Sequence, residues 1–219
     1  MPTLFGVAYT ARLFREVDDP SSFGQLLHLT APAINLQNPA HVQALLNWLN
    51  KWGCRIAGNL FPALSTSLSN WDQQWRPRLP QPHVELVNLR NADVDILANA
   101  YEALLTVYGL GPSAAAKVLF AVHPEAAMAW DEAIRAGLNI GGDRQGYQDM
   151  LVRSKHEAAM LVANAGRCGI SNARDIPRIV ASPDRTLARL LDGYNWITIT
   201  QGHQIPTCTE LKQWATWTC

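Results

Sequence analysis

Apolar residues recur along this chain at the three- and four-residue spacing of an α-helix, and that period constrains the fold more than any other feature. Val42, Leu45, Leu46, Leu49 and Trp52 form one stripe. Leu97, Tyr101, Leu104, Leu105 and Tyr108 form a second, and Ala115, Val118, Leu119 and Val122 a third. Residues so spaced share one face of a helix, which other helices must cover. Asn38-Pro39 supplies a cap and a first-position proline for a helix running to Gly53. Asp131 suits the cap of a short helix, DEAIRAGL, that stops before Gly141-Gly142. The longest helix is expected from Asp143 to about Ala165, with shorter ones at about 172–181 and from Ser182-Pro183 to about Asp192.

Three stretches read differently. FPALSTSLSNWDQQWRPRLPQP carries four prolines between positions 62 and 82 and is expected to be a loop. NWITIT, residues 195–200, alternates β-branched residues like a short strand, but has no obvious partner. Thr207 and Glu210 have capping-box spacing ahead of LKQWATW. The expected fold is therefore all-α: a compact helical globule with extended segments at its ends. It forms a single unit over residues 1–219, divisible into two lobes. One comprises about 1–90 with the C-terminal tail; the other, about 91–200, contains a hairpin at 104–123.

Composition narrows the function classes. At 48% hydrophobic residues and zero formal net charge, 219 residues bury a real core and do not resemble a disordered chain. No apolar run approaches the ~18 residues of a spanning helix, and MPTLFGVAYTARLF lacks the basic start of a secretory signal. No membrane partner and a cytoplasmic location are expected. Cys54, Cys168, Cys208 and Cys219 stand far apart with no CxxC, so reduced, mostly buried thiols are expected. The six histidines show no ligand spacing, and neither metal nor cofactor is expected. Zero net charge excludes a protein that coats nucleic acid electrostatically, but not one that grips a phosphate locally.

The informative stretch is LLTVYGLGPSAAAKVLFAVHPEAAMAWDEAIR, residues 104–135. Two helices meet at Gly109-Leu110-Gly111, where glycine permits positive φ and leaves the backbone bare. The amides of such a turn and of the next helix's first residues point outward together and, with the helix dipole, form a cradle for one phosphate. Gly109, Leu110, Gly111, Ser113, Ala114 and Lys117 are the candidate DNA-binding residues; Lys117 equally suits a solvated helix face.

This segment resembles the helix-hairpin-helix DNA glycosylase superfamily, whose hairpin reads L-P-G-[VI]-G-x-x-[TV]-A. Here Val107-Tyr108-Gly109-Leu110-Gly111-Pro112-Ser113-Ala114-Ala115 occupies those positions, and Asp131 follows Ser113 by 18 residues, at the interval of the family's essential Asp. Val107-Tyr108 replaces Leu-Pro, and Ala133 stands where a polar residue is frequent. The cluster-binding cysteines are absent, which implies no iron–sulfur cluster. Ser113 occupies the position of the imine-forming lysine of bifunctional members. Lys117 lies four residues, about 6 Å, further along the helix. The resemblance thus implies a monofunctional DNA glycosylase acting on double-stranded DNA, and a monomer is expected. It would flip out a damaged or modified base, hydrolyse its N-glycosidic bond and leave an intact abasic strand.

Glycosidic cleavage builds positive charge on the sugar, and one nearby carboxylate stabilises it and orients water. Asp131 is the candidate catalytic residue, and its neighbour Trp130 is a candidate for the base pocket. Base excision repair and defence against phage DNA carrying modified bases are the roles such chemistry serves. A non-catalytic helix-hairpin-helix DNA-binding module is the alternative, and a helical protein–protein adaptor with a plain Gly turn is a third reading.

Overall fold

A computed structural model describes residues 1–17, 21–170, 172–207 and 209–210. Its helices are α1 (Leu4–Val17), α2 (Ser21–Leu29), α3 (Pro39–Lys51), α4 (Phe61–Trp75), α5 (Asn91–Leu105) and α6 (Pro112–Val122). They continue as α7 (Glu132–Leu138), α8 (Arg144–Arg167), α9 (Ile176–Ile179) and α10 (Leu187–Asn195). Among the described residues there is no strand, so the all-α expectation is met at the level of class. No described helix is long and apolar enough to cross a membrane.

Caps start several helices as their sequences direct. Asn38 accepts from Ala40 N, Asp131 from Ile134 N and Asp143 from Gly146 N. One buried cluster runs from Val7 in α1 through Leu49, Leu97 and Leu119 to Leu191 in α10. Helix α6 lies at its centre, with every residue from Ala114 to Ala121 buried. Its alanines let α3 and α5 approach closely, and α8 packs along α5 on the far side.

Five local expectations are corrected. Residues 61–75 form α4, because Pro62 sits in the first turn and Pro77, Pro80 and Pro82 lie beyond the end; Leu64, Leu68 and Trp71 form its buried stripe. Residues 196–200 continue α10 as a π-helical turn instead of a strand, with Thr198 Oγ1 donating back to Tyr194 O. The N-terminal segment is helical, not extended. Tyr108 is fully outside the core at 83% exposure, because α5 stops at Leu105. Among the cysteines, Cys54 is half-buried and Cys168 exposed, so neither is a core thiol; Cys208 and Cys219 lie outside the described residues. Thr207 and Glu210 do pair as a capping box, but the segment it was expected to start lies outside the described residues.

Candidate functional site

The turn between α5 and α6 has the bare backbone its sequence suggests, with its two glycines in different conformations. Gly109 has φ +92°, and an added Cβ would stand 3.1 Å from Leu60 Cδ1. Gly111 has φ −86° and ψ 175°, extended backbone open to any residue, with no atom within 4 Å of an added Cβ. Positive φ therefore explains Gly109 only. Gly111, exposed, leaves open space beside the first amides of α6, where the N–H groups of Ser113 and Ala114 have no intrahelical acceptor. Leu110 is turned inward and anchors the turn to the core.

Lys117 is not on that face. It is 9% exposed, its Nζ donates to Trp52 O at 3.1 Å, and it lies 5.8 Å from the centroid of the Trp52 ring. This corrects its reading as a phosphate contact: α6 is apolar on all sides and offers a lysine no solvated face. Lys117 instead lines a partly open cavity of about 80 Å3. Phe14 of α1, Trp48 and Trp52 at the end of α3, Trp130 and Trp196 make its aromatic walls. Asp131, Arg189 and Asp192 join Lys117 as its charged groups. Ser113 is not among the lining residues.

Trp130 couples the hairpin to this cavity. It is 1% exposed, and its indole N–H donates to Pro112 O, the first residue of α6, at 3.1 Å. Its ring meets Tyr101 and Tyr147 edge-on at 5.6 and 5.3 Å between centroids, and Arg135 lies 5.6 Å over it. Tyr101 donates in turn to Gly142 O at 2.6 Å, and Tyr147 to Met128 O at 3.0 Å. The chain entering Asp131 is thus fixed on one side to the start of α6 and on the other to α8.

Asp131 is half-buried in the cavity wall. Its Oδ1 accepts from Ile134 N at 2.7 Å, and the Thr200 hydroxyl donates to the carboxylate, 3.1 Å from Oδ2. A carboxylate offers about four acceptor positions, so capping α7 leaves room for a further donor such as water. Across the cavity, Asp192 is held by Arg189 at 2.6 Å, both side chains nearly enclosed. Burial pushes the Asp192 carboxyl above the ordinary range, against the pull of Arg189 and Lys117, and Asp131 adds to the upward push. The Arg189 guanidinium lies 4.8 Å from Phe14 and 5.3 Å from Trp52, bracing the aromatic wall.

The sequence alone did not point to Phe14, Arg189, Asp192 or Trp196. The signal for the pair was present in LARLLDGYN, where Arg and Asp three residues apart are flanked by leucines. Four other arginines, each of which could in principle meet a phosphate, are engaged within the chain. Arg76 pairs with Asp72, Arg90 with Asp93, and Arg144 with Asn99 and Gln148, while Arg78 lies over Trp75. Larger depressions exist, one of about 510 Å3 beside His83, Glu85, Glu125 and Arg174. That one is an open surface groove whose central charges, Glu85 and Arg174, already satisfy each other. Among the described residues no cluster of side chains fits a metal ion.

Compared with known proteins, the chain matches no family model, no curated protein and no solved structure. The functional reading therefore rests on the site.

Proposed function

We propose that the chain is a DNA glycosylase that grips a phosphate with the α5–α6 turn and hydrolyses the N-glycosidic bond of a flipped base with Asp131. The observation that carries this reading is the linkage through Trp130. A carboxylate in the wall of an aromatic cavity is tied by its own neighbour to the residue that opens the anion-cradling helix. Aromatic walls suit a base taken out of the stack. The cavity at about 80 Å3 is smaller than the roughly 300–1,000 Å3 of pockets enclosing whole ligands, so a base enters only as a wall yields.

In the reaction, the bond from sugar to base breaks and positive charge develops at C1′. Asp131 supplies a fixed negative charge there without reorganisation, and its unused lone pairs hold the water that completes hydrolysis. Repair and defence against modified phage DNA are the two roles such an activity serves. The test is single-turnover base release from a panel of DNAs carrying damaged and hypermodified bases, read by mass spectrometry of the free bases. Asp131→Asn keeps the cap to Ile134, and the Thr200 hydroxyl can turn to accept from the new amide. Stability is therefore expected to change by less than about 1 kcal/mol, while base release slows by about a hundredfold or more. Equal release by the two proteins at one salt concentration refutes catalysis by Asp131 and leaves the non-catalytic binding module.

A further inference from the structure

Asp131 is tied to α7 by its own sequence, but that cap holds only one of its two oxygens. Ile134 N, three residues on, donates to Oδ1 at 2.7 Å. The second hold comes from 69 residues away, where the Thr200 hydroxyl donates to the carboxylate, 3.1 Å from Oδ2 and 3.3 Å from Oδ1. Among the described residues no other hydrogen bond reaches this side chain. The last torsion of an Asp side chain is broad, so a carboxylate held at one oxygen still turns about it. A donor on the other oxygen stops that rotation.

Thr200 ends the π-helical turn Trp196–Thr200, in which Gln201 N donates to Trp196 O, five residues back, at 3.0 Å. Turns of this kind are rare and recur at functional sites. This one sets Trp196 in the cavity wall and Thr200 on Asp131. It is seated without a gap on α7, the helix that Asp131 caps: a Cβ added at Gly137 would collide with Ile199 Cγ2. The Thr198 hydroxyl, donating to Tyr194 O at 2.7 Å, ties the turn back to α10.

We propose that Thr200 is a positioning residue, whose hydroxyl fixes the plane of the Asp131 carboxylate and so the direction in which its charge meets the sugar. The proposal rests on the base-removing reading of Asp131. A fixed charge stabilises a developing cation without reorganisation only while its orientation is kept. Thr200 acts through Asp131 alone, so removing the hydroxyl matters only where the carboxylate is present.

The experiment measures single-turnover base release by the full chain, on the duplex of the panel that loses its base fastest, beside a DNA-binding titration. Thr200→Val keeps the shape and removes the donor; Thr200→Ala serves if the valine variant does not fold. Release is expected to slow by about tenfold, the scale of one hydrogen bond to a charged group, with DNA affinity unchanged. Thr200→Ser, which keeps the hydroxyl, is expected to release base close to the unaltered rate. Added to Asp131→Asn, Thr200→Val is expected to change the rate by less than about twofold, because the two residues act as a unit. Slow release by Asp131→Asn with full speed in Thr200→Val overturns the positioning role and leaves base removal standing. An equal loss from Thr200→Val in both backgrounds, or no recovery with serine, overturns it as well and assigns Thr200 to packing. Full speed in Asp131→Asn, or no base released from any duplex of the panel, overturns the reading of Asp131 and this proposal with it.

Discussion

Replacing Gly111 with valine separates what the α5–α6 turn does for folding from what it does for a bound phosphate. At φ −86° and ψ 175° the residue is in extended backbone that valine adopts freely, and an added Cβ meets nothing within 4 Å. The loss of a favourable cap residue is partly offset by a less mobile unfolded chain, so the net change is expected within about 1 kcal/mol. The branched side chain nevertheless fills the space beside the amides of Ser113 and Ala114. A hydrogen bond to a charged acceptor contributes about 1.5–3 kcal/mol, so losing even one weakens DNA binding by about tenfold or more. The salt dependence is expected to keep its slope, since no protein cation is removed. Gly109→Ala is the counterpart. At φ +92°, and with Leu60 Cδ1 only 3.1 Å from the new carbon, it costs about 1–2 kcal/mol and lowers Tm by about 2–8 °C for a chain of this size. Thermal unfolding and fluorescence-anisotropy titrations of both variants on one duplex give the comparison. A folded Gly111→Val protein with unchanged DNA affinity refutes the phosphate cradle.

Two further outcomes follow from buried groups. Trp130→Phe removes the indole N–H and leaves Pro112 O without its partner; with the lost ring volume, a destabilisation of about 2–4 kcal/mol is expected by chemical denaturation, and a change below about 0.5 kcal/mol would refute the coupling drawn through this ring. His123, 3% exposed, is held below its ordinary pKa by burial, with Pro80 O 3.0 Å from Nε2 pulling the other way. The unfolded chain takes up that proton at about pH 6.5 and the native chain only at lower pH, so the unfolded state binds more protons below about pH 6.5 and stability falls as acid is added. His123→Gln is expected to shrink the stability difference between about pH 7.5 and about pH 5.5; an undiminished difference counts against it.

Legibility in the sequence followed the number of local signals each element carries. Helices α3, α6 and α8 combine apolar periodicity with a cap or an initial proline, and they stand close to where those signals put them. Helix α4 was hidden because prolines that flank it read as prolines that break it, although Leu64, Leu68 and Trp71 keep helical spacing. The π-turn after α10 defeats a period argument altogether, since threonines that bond Tyr194 O and Asp131 mimic the alternation of a strand. Asp131 was singled out by its interval from the turn, as the resemblance suggested, and the structure sets it in the same cavity wall as Lys117. The inward aim of Lys117 was readable from SAAAKVLFAV, where an apolar helix leaves its one charge nowhere to go but inside. Phe14, Arg189 and Asp192 meet Lys117 only through tertiary packing of α1 and α10, and no local pattern carries that.

The indole of Trp130 also works as a gauge. It ties the carbonyl of Pro112 to the residue before Asp131, Trp130 itself, and it packs edge-on against a stacked pair of tyrosine rings. With a phosphate seated on the turn, the carboxylate is then held at a set reach from that phosphate, whatever base stands between. If the proposed reading holds, the protein would count nucleotides from its grip, so its contacts along the strand should be offset to one side of the excised base by the same number of steps in every sequence. A single aromatic ring would thus decide which nucleotide is presented, leaving the cavity to decide only whether it is accepted.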